Sequence, residues 1–113
     1  MDQRVQAAIT FLKTNLHRKS TPIEIAQSVR LSPAHLRELF KNETGTSLVR
    51  YRRELRLERA RYLLETTFLS IKEIAARVGL TSVGHFVTDF KKTYGMTPSE
   101  YAESCRSSRR HQP

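Results

Sequence analysis

Val5, Ala8, Ile9, Leu12 and Leu16 open the chain at i, i+3, i+4, i+7 and i+11, the spacing of one apolar stripe on a helix. A polar break, His17-Arg18-Lys19, follows. Thr21-Pro22 starts a second helix, with proline at the favoured first position, running through Ile25, Ala26 and Val29. Leu31-Ser32-Pro33 reads as a turn, with Ser32 capping a helix from Pro33 to about Thr44. Leu36, Leu39 and Phe40 form its buried face, and Gly45 is placed to end it.

The same pattern then returns. Ile25-Ala26, Val29, Leu31, Leu36, Phe40-Lys41 and Gly45 reappear as Ile74-Ala75, Val78, Leu80, Phe86, Phe90-Lys91 and Gly95. The offset is 49 at Val29 and Val78 but 50 at Phe40 and Phe90, so the second copy has one extra residue at its turn. An internal repeat of this length is a repeat of architecture. In the second copy a helix starts at Ser70 or Ile71 and runs to Val78, Gly79 sits at the turn, and the next helix spans Ser82 to about Tyr94. Thr97-Pro98-Ser99-Glu100 is a capping box opening a last short helix that carries Tyr101.

Between the copies, Ser47 to about Glu65 lacks glycine and proline and is rich in Arg, Leu and Glu. It predicts one helix roughly 27 Å long for about 18 residues. At 100° per residue, Leu48, Tyr51 and Leu55 cluster on one side, while Leu57, Ala60 and Leu64 cluster on the opposite side. A strut shared by two cores needs that arrangement. The expected fold is all-α, with two helix-turn-helix subdomains, about seven helices in all, joined by a long central linker helix. The expected divisions are 1–46, a linker at 47–66, a second subdomain at 67–104, and a disordered basic tail at 105–113.

Composition narrows the class. The 113 residues carry a net charge of +9 and a pI near 10.3, a field that favours polyanions. The lone Cys105 excludes an internal disulfide, and no apolar signal core or membrane-length run is present, which points to a cytoplasmic protein. The histidines His17, His35, His85 and His111 are scattered, Cys105 has no zinc-like spacing, and no glycine-rich phosphate loop occurs. These features argue against an enzyme and imply no cofactor or metal.

Ala26 and Ala75 sit just ahead of each turn, where a helix-turn-helix needs a small residue for close helix crossing. One such pattern is a weak signal; two in register within a basic chain are stronger. The segments Leu31-Ser32-Pro33-x-x-Leu36-x-x-x-Phe40-Lys41, Arg56-Leu57-x-x-Ala60-x-x-Leu63-Leu64, Ile71-x-x-Ile74-Ala75-x-x-Val78-Gly79, Phe86-x-x-x-Phe90-Lys91 and Gly95-x-Thr97-Pro98-x-x-Tyr101 resemble the DNA-binding domain of the AraC/XylS family of bacterial transcription regulators. The resemblance spans about Val5 to Tyr101. Departures are Leu80 for the usual phenylalanine, Val87-Thr88 where Ser-Arg is common, Ala102 for a frequent arginine, and Gly84 within the second recognition helix.

The resemblance implies sequence-specific binding of double-stranded DNA and regulation of transcription, usually activation, through recognition helices in successive major grooves. The linker rod is shorter than the roughly 34 Å groove repeat, so either one groove is entered less deeply or the DNA bends. The resemblance places base contacts at Ala34, Arg37 and Glu38. Arg37 suits guanine, Glu38 a cytosine amino group and Ala34 a thymine methyl. The matching readers in the second copy are His85 and Thr88, with Val83 offering a methyl contact. Phosphate contacts are expected at Ser32, His35, Lys41, Ser82, Lys91 and Lys92, and helix starts near Pro22 and Ile71 add backbone donors. Among Arg52, Arg53, Arg56, Arg59 and Arg61, some pair with Glu54, Glu58 or Glu65 at helical spacing. RNA polymerase is a further expected partner. The segment is expected to be monomeric, with dimerisation and effector binding on another domain. The rival reading is a protein-interaction module docking on RNA polymerase or a partner, with weak or vestigial DNA binding, which the altered second recognition helix keeps open.

Overall fold

The computed structural model describes residues 1–110. Among them are seven helices and no strand: α1 (Gln3–Thr14), α2 (Pro22–Ser28), α3 (Pro33–Thr44), α4 (Leu48–Thr66), α5 (Ile71–Arg77), α6 (Val83–Tyr94) and α7 (Pro98–Arg110). They gather into two units, Met1–Leu55 and the chain from Arg56 onward.

In the first unit, α1 is started by Asp2, whose carboxylate accepts from the Arg4 backbone N–H at 2.7 Å. The stripe then buries Val5, Ala8 and Leu12. Leu16, its expected fifth member, lies beyond the helix, which ends at Thr14 with Asn15 as its C-cap. Val5, Ala8 and Leu12 pack with Ile25, Ala26, Val29, Leu36, Phe40 and Leu48 into one apolar cluster. Phe40 meets Tyr51 edge-on at 5.3 Å between ring centroids, a favoured aromatic geometry.

The second unit repeats the design. Leu57, Ala60, Leu63, Leu64, Ile74, Ala75, Val78, Phe86, Phe90 and Ala102 form its core. Phe90 is ringed by Phe86, Tyr94 and Tyr101 at 5.8, 4.6 and 5.7 Å. Leu80 packs against this cluster, so its departure from phenylalanine is accommodated. The Tyr101 hydroxyl donates to Glu65 Oε1, tying α7 to the end of α4. Burial and that carboxylate push the phenol well above its ordinary pKa.

Helix α4 divides between the units. Leu48, Tyr51 and Leu55 serve the first core, and Leu57, Ala60, Leu63 and Leu64 the second. The 47–66 linker is thus shared by the two cores. Each half of it completes a different cluster, and the division falls between Leu55 and Arg56.

The tail requires a correction. Residues expected from 105 onward as a disordered basic stretch continue α7 as far as Arg110. The Thr97–Glu100 box starts that helix, Ala102 buries into the core, and the Arg106 guanidinium lies 5.6 Å above the Phe68 ring. The remainder of that expected tail, 111–113 with His111, lies outside the described residues.

Candidate nucleic-acid interface

Each unit holds its second helix through the same turn. In the first, the Leu31 N–H reaches the Ala26 carbonyl at 3.0 Å and the Arg30 N–H reaches Gln27 at 3.2 Å. In the second, Leu80 reaches Ala75 at 2.8 Å and Gly79 reaches Ala76 at 3.2 Å. Both are Schellman closures, which need a left-handed residue just past the helix. Gly79 supplies it at φ 84, and Arg30 supplies it at φ 58. Arginine in that conformation was not apparent from local sequence; only the alignment with Gly79 signals it. Ala26 and Ala75 are buried at these closures, where a larger side chain would force the helices apart.

After the turn, α3 and α6 begin alike. Ser32 Oγ accepts from the His35 N–H and Ser82 Oγ from the His85 N–H, each at 3.2 Å. The extra residue of the second copy is Thr81, inserted between Leu80 and the capping Ser82. Because each serine caps as an acceptor, its own hydroxyl proton remains available to a phosphate oxygen. Gly45 and Gly95 end the two helices in the left-handed conformation.

The buried faces are Leu36 with Phe40 and Phe86 with Phe90. The opposite faces expose the expected base readers: Ala34, Arg37 and Glu38 on α3, and Val83, His85 and Thr88 on α6. Of the expected phosphate residues, Ser32, His35, Lys41, Lys91 and Lys92 are exposed and Ser82 is half-buried. Thr88 differs from a simple reader, since its hydroxyl donates to the Gly84 carbonyl at 3.0 Å. Lys41, Lys91 and Lys92 stand in the last turns of their helices, where a cation also suits the helix dipole.

The strut arginines divide. Arg61 pairs with Glu65 at 3.9 Å, as expected for i, i+4, and lies 5.0 Å above the Tyr94 ring. Glu54 takes Arg50 at 3.3 Å. Arg52 donates to the Ser20 carbonyl at 2.6 Å, holding the segment ahead of α2 against α4. Arg59 stacks on Tyr62 at 5.1 Å. Among the described residues no group of three or more His, Cys, Asp or Glu is arranged to hold a metal, and no helix is long and apolar enough to cross a membrane.

Twin helix-turn-helix units, each burying one face of its second helix and leaving the polar face open, define a helix-turn-helix domain of the paired type. A family described as a helix-turn-helix domain matches residues 25–104. The arabinose operon regulatory protein of Escherichia coli K12 is 35% identical over 106 residues, covering 93% of this chain and 36% of that protein. The crystal structure of an AraC-type transcriptional regulator from Chromobacterium violaceum superposes with a TM-score of 0.84 at 32% identity, covering 98% of this chain and 95% of that one. That of a DNA-binding transcriptional dual regulator from Escherichia coli K-12 gives 0.84 at 31% identity, covering 95% and 96%. The chain belongs to the AraC/XylS-type helix-turn-helix family of DNA-binding domains of transcription regulators, which are not enzymes. It spans about a third of the length of the curated relatives it matches.

Proposed function

We propose that this domain binds double-stranded DNA sequence-specifically and regulates transcription, chiefly by activation, with α3 and α6 each entering a major groove. The observation that carries the proposal is the duplicated recognition helix: two copies bury matching apolar faces and leave capping serines, terminal lysines and distinct reading side chains on the open faces. The net charge of +9 supplies the attraction to phosphate.

In this reading Arg37 forms the bidentate contact to guanine, Glu38 accepts from cytosine, Ala34 meets a thymine methyl, and Val83, His85 and Thr88 read the second groove. Ser32, His35, Lys41, Ser82, Lys91 and Lys92 hold the backbone. RNA polymerase is the partner that activation requires, and the domain by itself acts as a monomer.

Selection of bound duplexes from a random pool at two salt concentrations tests the proposal. A single enriched motif is expected, with affinity falling steeply as salt rises. A protein-interaction module with vestigial DNA binding would enrich no motif.

A further inference from the structure

The two recognition helices share buried faces and the outward pairs His35/His85 and Lys41/Lys91, but differ at their other reading positions. Aligned on Phe40 and Phe90, Pro33 corresponds to Val83, Ala34 to Gly84, Arg37 to Val87 and Glu38 to Thr88. The first helix therefore offers a guanidinium and a carboxylate where the second offers a half-buried valine and a threonine.

Thr88 is further restricted. Its hydroxyl proton is committed to the Gly84 carbonyl at 3.0 Å, so it has none left for the N7 or O6 acceptors of a purine. What remains for the outer face is a methyl group and an acceptor lone pair. Val83 is 39% exposed at the first position of the helix. Among Val83, Gly84, His85 and Thr88, His85 alone keeps a side-chain donor.

Gly84 adds an independent observation. Its backbone is not left-handed, and a Cβ placed on it would meet only Ser82 Oγ, at an ordinary 3.8 Å. The fold thus accepts a side chain at this exposed position, although glycine weakens a helix relative to alanine. A bare backbone there suits close approach by something outside the protein.

We infer that the second recognition helix selects thymine through its 5-methyl group, which packs against the Val83 side chain and the Thr88 methyl over the bare Gly84 backbone. The first helix instead reads hydrogen-bonding edges through Arg37 and Glu38. The site on DNA is accordingly asymmetric in chemistry, with G·C-dependent contacts by Arg37 and Glu38 beside the Ala34 methyl contact in one half and methyl recognition by Val83 and Thr88 in the other. This inference rests on the DNA-binding reading above.

Deoxyuridine tests it, because replacing thymine by uracil removes only the methyl. The duplex enriched from the random pool is titrated with the 113-residue chain, one thymine at a time being replaced. One or more positions are expected to weaken binding about fourfold, the value of one buried methyl-sized group. Val83→Ser or Thr88→Ser should erase that penalty, Thr88→Val should retain it, and Arg37→Ala should leave it unchanged while relaxing a guanine position. Gly84→Ala should raise the melting temperature yet weaken binding. Selective binding with no penalty that responds to Val83 or Thr88 overturns this inference and leaves DNA binding intact. Failure to enrich any motif removes both. The substitution in the DNA keeps the test valid even where a variant folds poorly.

Discussion

Arg30 occupies a backbone conformation that a side chain resists. At φ 58 it holds the position Gly79 fills in the second unit, and a left-handed L-residue costs about 1–2 kcal/mol. Arg30→Gly should therefore stabilise the first unit by about 1 kcal/mol, seen as a rise of a few degrees in the melting temperature. No rise would mean that the arginine side chain makes contacts worth as much as the strain. Local sequence hides this feature, because arginine itself carries no turn signal. The outward positions were legible, since helical period separates the exposed Arg37 and Glu38 from the buried Leu36 and Phe40 without reference to any partner. The tied hydroxyl of Thr88 was not, because its bond depends on a rotamer, and threonine has two accessible in a helix.

At the level of the helix, caps and apolar period accounted for most boundaries. The Thr97–Glu100 box is reciprocal as expected, Thr97 N donating to Glu100 Oε1 at 3.1 Å and Glu100 N to Thr97 Oγ1 at 3.2 Å. A second box, Ser70 with Glu73, has the same sequence signature and starts α5. The extension of α7 to Arg110 was obscured because its later turns are nearly all polar. Their helicity depends on the cap, on Ala102 and on the Arg106–Phe68 stack, which connects residues far apart in sequence. The boxes also carry a pH dependence. The Ser70 backbone N–H and then its side chain hold the Glu73 carboxyl below its ordinary pKa, and Thr97 does the same for Glu100, with a smaller contribution from the Lys91 charge. A depressed folded-state value means stability that is full above the ordinary glutamate pKa and lost as pH falls through the lowered one. Thermal melts across that acidic window should show Glu73→Gln losing less than the parent chain on acidification. Equal slopes would show that the box contributes no proton linkage.

For the whole molecule, charge and base reading separate in a mutant pair. Arg37→Ala should cost about 1–3 kcal/mol and relax one base position, whereas Lys91→Ala should weaken all sequences alike and lower the salt slope by about one. Anisotropy titrations on matched and scrambled duplexes at several salt concentrations measure both effects. If the two variants lose affinity equally on every duplex, Arg37 is a phosphate contact and not a reader. The repeat, the charge and the opposed apolar sides of the central segment made this organisation legible. The expected linker bounds follow the change in polarity along the chain, whereas the apolar contacts divide it inside that helix, between Leu55 and Arg56.

That difference governs how such genes can be recombined. A crossover at residue 46 or 67, where the chain looks divisible, would strip one head of three or four of its apolar side chains. A crossover between Leu55 and Arg56, in the middle of an unbroken helix, leaves each head its complete set. Exchange of reading heads among relatives should therefore be tolerated where the polypeptide is most regular, and chimaeras joined there should fold and inherit the DNA preference of each parent's half, as duplex selection would show.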